Sequence, residues 1–390
     1  MLRVAVVGTG NISAAHVNAY LAFPERCRIT AVVDMYPEKA KAKAKQFGLD
    51  VEVLDSHKLL LGRSDIDLVS VCTPPFTHAC ICVDLLNDRK HVLVEKPMAA
   101  SLEECDRMNE AAARSGTVFS VVAQNRFREP IMNLKHVLDS GLIGRVLHAQ
   151  IDSYWWRGHC YYDLWWRGLW SKEVGGCTLN HAVHHIDMLG WMMGLPRRAV
   201  ALLSNAAHDN AEVEDISVAA LQYDRGSVAQ VTSSVIHHGE EQQLIFQGER
   251  ARISAPWNVY ASTSKDNGFP QRNPALEEEL HAFYERLPRL KHTGHEGQID
   301  NVLTAIETGT APLITGVDGR MTIELITAIY QAGFQQKAVE LPIAKDDPMY
   351  TAEGILASAP RFYEKTNAVV QLGSGQDISV GSDYGQKNKP

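Results

Sequence analysis

The chain has 390 residues, 45% of them apolar and 22% charged, a balance that excludes a disordered chain, a collagen or a disulfide-stapled miniprotein. Its formal net charge of −8, from 38 basic and 46 acidic residues without a long basic run, argues against nucleic acid or an anionic membrane as partner. No apolar stretch reaches the ~18 residues of a membrane helix, and the short apolar run 4–7 before Gly8 is not a signal peptide, so no membrane association is expected.

In chain order, Leu2–Val7 reads as a buried strand and Ser13–Leu21 as a helix. Residues 28–34 form a second strand, and 37–47 a helix opened by a proline. Strands are expected at 66–72, 91–95 and 117–123, with helices at 77–87 and Leu102–Ser115 between them. Near-continuous apolar strands alternating with helices predict a parallel sheet covered on both faces, a doubly wound α/β domain over residues 1–123. The texture then changes. A helix at 130–140, a strand at Val146–Tyr154, an aromatic-rich loop at 155–170 and a helix near 179–193 precede several consecutive strands between 199 and 254. Helices return at 296–307 and 320–333. This predicts an α+β domain over 124–345 with a large, mostly antiparallel sheet. Residues 346–390 are an extension whose last stretch, 371–390, has the composition of an extended or mobile tail. The seven cysteines are odd in number and contain no C-x-x-C, which suits reduced thiols and a cytoplasmic location.

Gly8-Thr9-Gly10-Asn11-Ile12-Ser13 follows the first strand and opens the first helix. Gly8 permits a tight turn, Gly10 a close approach of backbone to a pyrophosphate, and the helix N-terminus offers free N–H groups through Asn11 and Ile12. Ser13 stands where a third glycine is usual, and a purely structural turn has the same form. Asp34, at the end of the second strand, can accept both hydroxyls of an adenosine ribose and would repel a 2′-phosphate. Met35 and Tyr36 follow it, with no Arg or Lys, so NAD is expected over NADP; a turn cap is the plain alternative. Thr73-Pro74-Pro75-Phe76-Thr77-His78 and Glu95-Lys96-Pro97 follow later strands, at the edge where ligands bind in open α/β sheets. A surface ion pair with Glu95 is the bland reading of Lys96.

These segments, with His16, resemble the glucose–fructose oxidoreductase / inositol dehydrogenase / MocA (Gfo/Idh/MocA) family. Supporting motifs are Gln124-Asn125-Arg126-Phe127, Trp166-Arg167-Gly168-Leu169-Trp170, Gly175-Gly176…Asn180…His184…Asp187 and Gly294-His295…Gln298-Ile299. The similarity covers roughly residues 1–345. It implies a Rossmann domain followed by an open-sheet domain often used for oligomer contacts, hence a homodimer or homotetramer. It also implies NAD(P)-linked oxidation of a secondary alcohol on a sugar or cyclitol. By resemblance Lys96 is the active-site lysine, His184 the acid/base, and Trp166 and Arg167 lie against the cofactor. Asn180 falls where many members carry Asp, and some 3-dehydrogenases of sugar nucleotides share the Asn.

The chemistry is consistent with these residues. Asn180 and His184, one turn apart on an expected helix, would share a face. Imidazole suits removal of a hydroxyl proton near neutral pH, and an ammonium stabilises the developing alkoxide. The full expected site is therefore Lys96, His184 and Asn180 for catalysis. Gly8, Gly10, Asn11, Ile12, Asp34, Thr73, Pro74, His78, Glu95, Lys96, Trp166 and Arg167 are expected to hold NAD. Lys96, Asn125, Arg126, Arg157, Asp163, Asn180 and His184 are expected to hold substrate. Three departures from the family pattern stand out. Val174 replaces the first of three glycines, Asn180 cannot carry charge, and His181, His184 and His185 crowd one segment, so that a one-residue slip would promote His185. Five of the seven tryptophans fall in the aromatic loop, suited either to stacking on a pyranose or to packing. No metal is expected, since His181, His185, Asp187 and His159 lack firm ligand spacing. Three readings remain open: an NAD-dependent dehydrogenase of a sugar, glycoside or cyclitol, with ring carbon 3 a candidate target; a glycosidase using bound NAD for transient oxidation; and a non-catalytic sensor.

Overall fold

The computed structural model describes residues 1–369 together with Leu372 and Tyr384. Contacts divide the chain into two compact units: Met1–Phe127, Leu290–Ile323 and Tyr350–Ala352 form the first, and Arg128–Arg289, Glu324–Met349 and the chain from Glu353 the second.

In the first unit six parallel strands, β1 (Leu2–Val7), β2 (Cys27–Val33), β3 (Glu52–Leu54), β4 (Leu68–Val71), β5 (His91–Val94) and β6 (Phe119–Val121), lie in the order 3-2-1-4-5-6. Helices α1 (Ser13–Leu21), α2 (Pro37–Gln46), α3 (His78–Asn87) and α4 (Leu102–Ser115) connect them. This is the doubly wound dinucleotide-binding order, with the strand sequence reversing beside β1. The ends of α4 show the local causes of its length. Ser101 caps it by accepting from Glu104 N, and Gly116 leaves it at φ 69. β3, three half-exposed residues, was not expected, because so short a strand carries no periodicity.

Residues 290–323, expected in the second domain, belong to the first unit. The physical reason is the apolar stripe of the helix Gly294–Thr308: Ile299, Val302 and Leu303 are buried in one cluster with Val4, Tyr20, Phe23, Leu68 and Leu93. Each such side chain is worth about 1.5–3 kcal/mol of transfer energy. Arg26 fastens the helix from outside through Asp300, Thr304 and Glu307.

The second unit holds a nine-stranded sheet: β7 (Val146–Tyr154), β8 (Arg198–Ser204), β9 (Ile216–Gln222), β10 (Val228–Ser234), β11 (Gln242–Gly248), β12 (Ala251–Ala255), β13 (Asn258–Ser264), β14 (Pro270–Arg272) and β15 (Val339–Glu340). The order is 14-13-12-11-7-10-9-8-15, antiparallel except where β10 runs beside β7. Alternation sorts the two faces. Ala149, Ile151, Ala219, Leu221, Val231 and Phe246 are buried, whereas Val200, Leu202, Val218, Val228 and Tyr260 are exposed. Helix α5 (Glu129–Asp139) packs against β12. After β7 the aromatic loop leads to three short helices: α6 (Trp170–Glu173), α7 (Cys177–Asn180) and α8 (Val183–Met193), the last packed on β7.

The single helix expected near 179–193 is thus broken between Asn180 and Val183. The cause is the side chain at the break. Asn180 turns its amide nitrogen back onto the carbonyls of Gly175 (2.7 Å) and Gly176 (3.3 Å), while Ala182 N closes a wide turn on Cys177 O. Asn180 and His184 therefore do not share one helix face, contrary to expectation. The tail expected at 371–390 lies outside the described residues apart from Leu372 and Tyr384. Tyr384 is buried, its hydroxyl 2.6 Å from His185 Nε2.

Candidate active site

In the first unit the β1–α1 loop is shaped by two glycines. Gly8 sits at φ +91, and a β-carbon there would lie 2.7 Å from the Cys72 carbonyl carbon, so only glycine fits. At Gly10 a β-carbon would meet nothing within 4 Å, leaving an open cradle over the loop. Helix α1 starts after Ile12 with no side-chain cap, and Ser13 is buried beneath with its hydroxyl on Gly10 O. An uncapped helix start behind an open glycine is the donor set that a pyrophosphate needs. Asp34 Oδ2 accepts from Thr9 N (2.9 Å) and Thr9 Oγ1 (2.7 Å), and Oδ1 accepts from Tyr36 N (2.9 Å). Asp34 is thus a turn cap, and it still has acceptor capacity for a ribose hydroxyl. The residues present fit NAD.

His78 is buried, with ring nitrogens 2.8 Å from Thr73 O and 2.9 Å from Pro97 O. It ties together the two loops carrying Thr73-Pro74 and Lys96-Pro97, so its part in the cofactor site is to hold the wall. The half-buried Lys96 stands two residues past the end of β5 and precedes a cis proline. Glu95 is buried; its Oε1 lies 2.9 Å from His16 Nε2 and 3.6 Å from His295 Nε2, and its Oε2 accepts from Lys96 N at 3.0 Å. Burial works against the charge, yet the hydrogen bond from His16 and the nearby His295 ring hold Glu95 well below the usual carboxylate range. His16 continues through Ser70 Oγ (3.1 Å) to Tyr20 OH. A buried relay of side chains thereby fixes the backbone at Lys96. His295 reaches it from a helix far along the sequence, which no local signal could disclose.

Arg126, expected at the substrate, has no exposed side-chain surface and pairs with Asp318 Oδ1 at 3.0 Å, so it has an ion pair where a substrate contact needs an open face. Asp318 Oδ2 is taken by Thr315 N and Oγ1. Asn125 is buried beside it in the chain.

In the second unit the segment 174–185 is built on strained and close-packed backbone. Val174 stands at φ 70 in the left-handed region, where a β-branched residue is a true outlier and the resemblance leads one to expect glycine. A β-carbon at Gly175 would collide with the Tyr330 hydroxyl and Leu179, and one at Gly176 would overlap the Glu214 carbonyl. Glu214, absent from the expected set, accepts from Gly176 N (3.2 Å), Thr178 N (3.0 Å) and Tyr330 OH (3.0 Å).

The three histidines then separate. His185 is buried against Tyr384, and burial drives its pKa down to about 3. His181 is buried, its Nε2 3.3 Å from Tyr161 OH and its ring edge-on to Trp155. His184, in the first turn of α8, alone keeps a partly exposed surface.

In the aromatic loop each expected arginine has a carboxylate partner. Arg157 lies over Trp155 (5.3 Å) and Tyr161 (5.7 Å) with Nη1 2.6 Å from Glu240 Oε1. The Arg167 guanidinium is 4.0 Å from the Tyr161 ring and 4.2 Å from that of Trp166, and it pairs with Glu173 at 2.7 Å. Asp163 Oδ1 accepts from Asn210 Nδ2 at 2.9 Å. Glu173 and Glu240 had no signal in the sequence beyond being acidic.

Residues 2–123 match the family described as an oxidoreductase family with an NAD-binding Rossmann fold, and residues 131–254 match the Gfo/Idh/MocA C-terminal domain. The chain belongs to the Gfo/Idh/MocA family. It is an NAD-dependent oxidoreductase. Among its relatives is the 2,7-anhydro-N-acetylneuraminate hydratase of Mediterraneibacter gnavus, 26% identical over 269 residues, covering 68% of this chain and 70% of the relative. Myo-inositol 2-dehydrogenase of Thermotoga maritima is 23% identical over 345 residues, covering 87% and 98%. The solved WlbA dehydrogenase of Bordetella pertussis, in complex with NADH and UDP-GlcNAcA, superposes with a TM-score of 0.75 at 25% identity, over 88% of this chain and 99% of that one.

Proposed function

We propose that this Gfo/Idh/MocA enzyme oxidises a secondary hydroxyl of a sugar, glycoside or cyclitol to a ketone, ring carbon 3 being a candidate target. The observation that carries the reading is the sorting of the three histidines, which leaves His184 as the one with partly exposed surface. NAD⁺, when bound, would supply the acceptor for the hydride of the carbinol carbon. His184 takes the hydroxyl proton as general base. The Lys96 ammonium stabilises the alkoxide as it forms, held in place through the Glu95 relay. Asn180, its amide nitrogen committed to its own turn, offers the substrate at most its carbonyl oxygen. Trp156 and Trp165, both exposed in the aromatic loop, present flat faces to a pyranose. The inositol dehydrogenase among the relatives, and the similar WlbA dehydrogenase solved with NADH and UDP-GlcNAcA, support this substrate class.

The relative named as a hydratase supports a second outcome, in which oxidation is transient and the net reaction is not redox. The exposed apolar face of the nine-stranded sheet, with Val200, Leu202, Val218 and Tyr260, supports a homodimer or homotetramer. Reduced thiols support a cytoplasmic location.

The test is absorbance of NADH formed from NAD⁺ and, separately, NADP⁺ with free sugars, inositols, glycosides and sugar nucleotides. Turnover with one substrate group, lost in Lys96→Ala and His184→Ala, is the expected result. Near-normal turnover in either variant would overturn the roles assigned.

A further inference from the structure

The loop 205–215 is a brace built on buried polar side chains, Asn205, His208, Glu214 and Asp215 among them. Asn205 Nδ2 donates to the carbonyls of His208 and Val213, both at 2.9 Å. Asp215 accepts from Ala206 N and Ala207 N, both at 2.8 Å, and its Oδ2 is 2.9 Å from His208 Nδ1. From this brace His208 Nε2 meets Arg157 O (3.0 Å) and Glu212 N donates to Gly168 O (2.7 Å), pinning both ends of the aromatic loop. At its end Glu214 clasps the start of α7. Its carbonyl accepts from Cys177 N, and its carboxylate accepts from Gly176 N, Thr178 N and Tyr330 OH. The clasp also accounts for Gly176, where any side chain would displace Glu214.

We propose that Glu214 is the positioning residue of the segment 176–184, and that the order of this segment loosens as its buried carboxyl ionises. The positioning of catalysis rests on the dehydrogenase reading; the order of the segment does not. As a carboxylate Glu214 only accepts, which matches three donors converging on it. Protonation leaves Gly176 N a second acceptor, Tyr330 OH at 3.2 Å, and removes a charge from a fully buried site.

The balance is close. Burial raises the Glu214 pKa against the bonds from Thr178 and Tyr330, to about 7. The titratable groups acting around it are Tyr330 of the helix Gly316–Gln335, Cys177 of α7 and Tyr162 of the aromatic loop; burial raises all three, so they are neutral at pH 7. Glu173, which also acts on Tyr162, is paired with Arg167, and Asp215 with His208.

The test is amide hydrogen exchange of peptides spanning 176–184 at pH 6 and pH 8, corrected for intrinsic rates, in the full-length enzyme with NAD⁺ present. Wild type should lose about tenfold in protection from pH 6 to pH 8, as a buried carboxyl titrating near 7 ionises. Glu214→Gln, neutral at both pH values, should show no step. Tyr330→Phe removes a donor to the charged form, so the midpoint of its step should move to higher pH. Where turnover is found, Glu214→Gln should lower kcat by about 10²-fold, the effect of an ångström-scale misplacement, with KM for NAD⁺ unchanged. A wild-type step in Glu214→Gln, or an unmoved midpoint in Tyr330→Phe, would overturn the proposal; Tyr330→Phe decides alone if Glu214→Gln fails to fold. Absence of turnover in wild type would count against the dehydrogenase reading, while exchange still decides the role of Glu214.

Discussion

Arg126 provides the sharpest test of a residue whose family position and physical setting disagree. Its guanidinium is fully buried 3.0 Å from Asp318, which keeps about a quarter of its side-chain surface and is also held by Thr315. Removing one partner of such a pair leaves the other charge without compensation and costs about 3–5 kcal/mol. For a unit of this size a midpoint moves by roughly 2–4 °C per kcal/mol, so Arg126→Ala should lower the melting of the first unit by about 10 °C. Burial acts against the Asp318 charge, but Arg126 prevails and holds its carboxyl below the usual range. With the folded pKa depressed, the stabilisation is present above the unfolded pKa and fades as pH falls through the folded one. The melting deficit of Arg126→Ala should accordingly shrink in acid. The double variant Arg126→Met with Asp318→Leu, which removes both charges, should recover most of the loss. The assay is thermal melting followed by circular dichroism at several pH values, alongside substrate KM of the folded enzyme. An Arg126→Ala protein that melts like wild type but binds substrate weakly would refute the structural assignment.

Three further outcomes are expected. Val174→Gly relieves a left-handed β-branched residue, worth about 1–2 kcal/mol, against roughly 0.5–1 kcal/mol for the freer unfolded glycine; a melting midpoint at or slightly above wild type is expected, and a clear fall would show that the Val174 side chain packs usefully. Asp34→Ala removes the charge that opposes a 2′-phosphate and unties Thr9, so the ratio of kcat/KM for NAD⁺ over NADP⁺ should drop about tenfold, a difference of ~1.4 kcal/mol; an unchanged ratio would remove Asp34 from the ribose site. The Glu214 pKa is raised from 4.5 to about 7, so its protonated form favours the folded state and stability should decline as pH rises through 7, by at most ~1.4 kcal/mol per unit; chemical denaturation at pH 6 and 8 should show this slope flattened in Glu214→Gln.

Much of the first unit was legible because its signals are local. Apolar strands, helical intervals and the Gly8–Gly10 turn fall where short-range sterics and burial require them. The open sheet was legible as a run of alternating strands. The break between Asn180 and Val183 was not, because the pattern of apolar residues continues through it and only the back-folded Asn180 amide decides. Nor were His295, Glu214, Glu240 and Tyr330 legible as parts of the site. Each reaches its partner across a long stretch of chain, and an isolated Glu or His carries no mark of the hydrogen bonds it will make. Arg126 misled for the converse reason: a cation next to a site motif has no sequence feature telling a ligand contact from a buried pair.

The return of residues 290–323 to the first unit has a practical consequence for dissecting the enzyme. Cutting the chain after residue 123 would yield six strands with one flank stripped, leaving Leu68, Leu93, Tyr20 and Phe23 to meet water in place of Ile299, Val302 and Leu303. Such a fragment would aggregate before it bound a nucleotide. A self-standing cofactor module has to be spliced instead, joining Met1–Phe127 to Leu290–Ile323 through a designed linker.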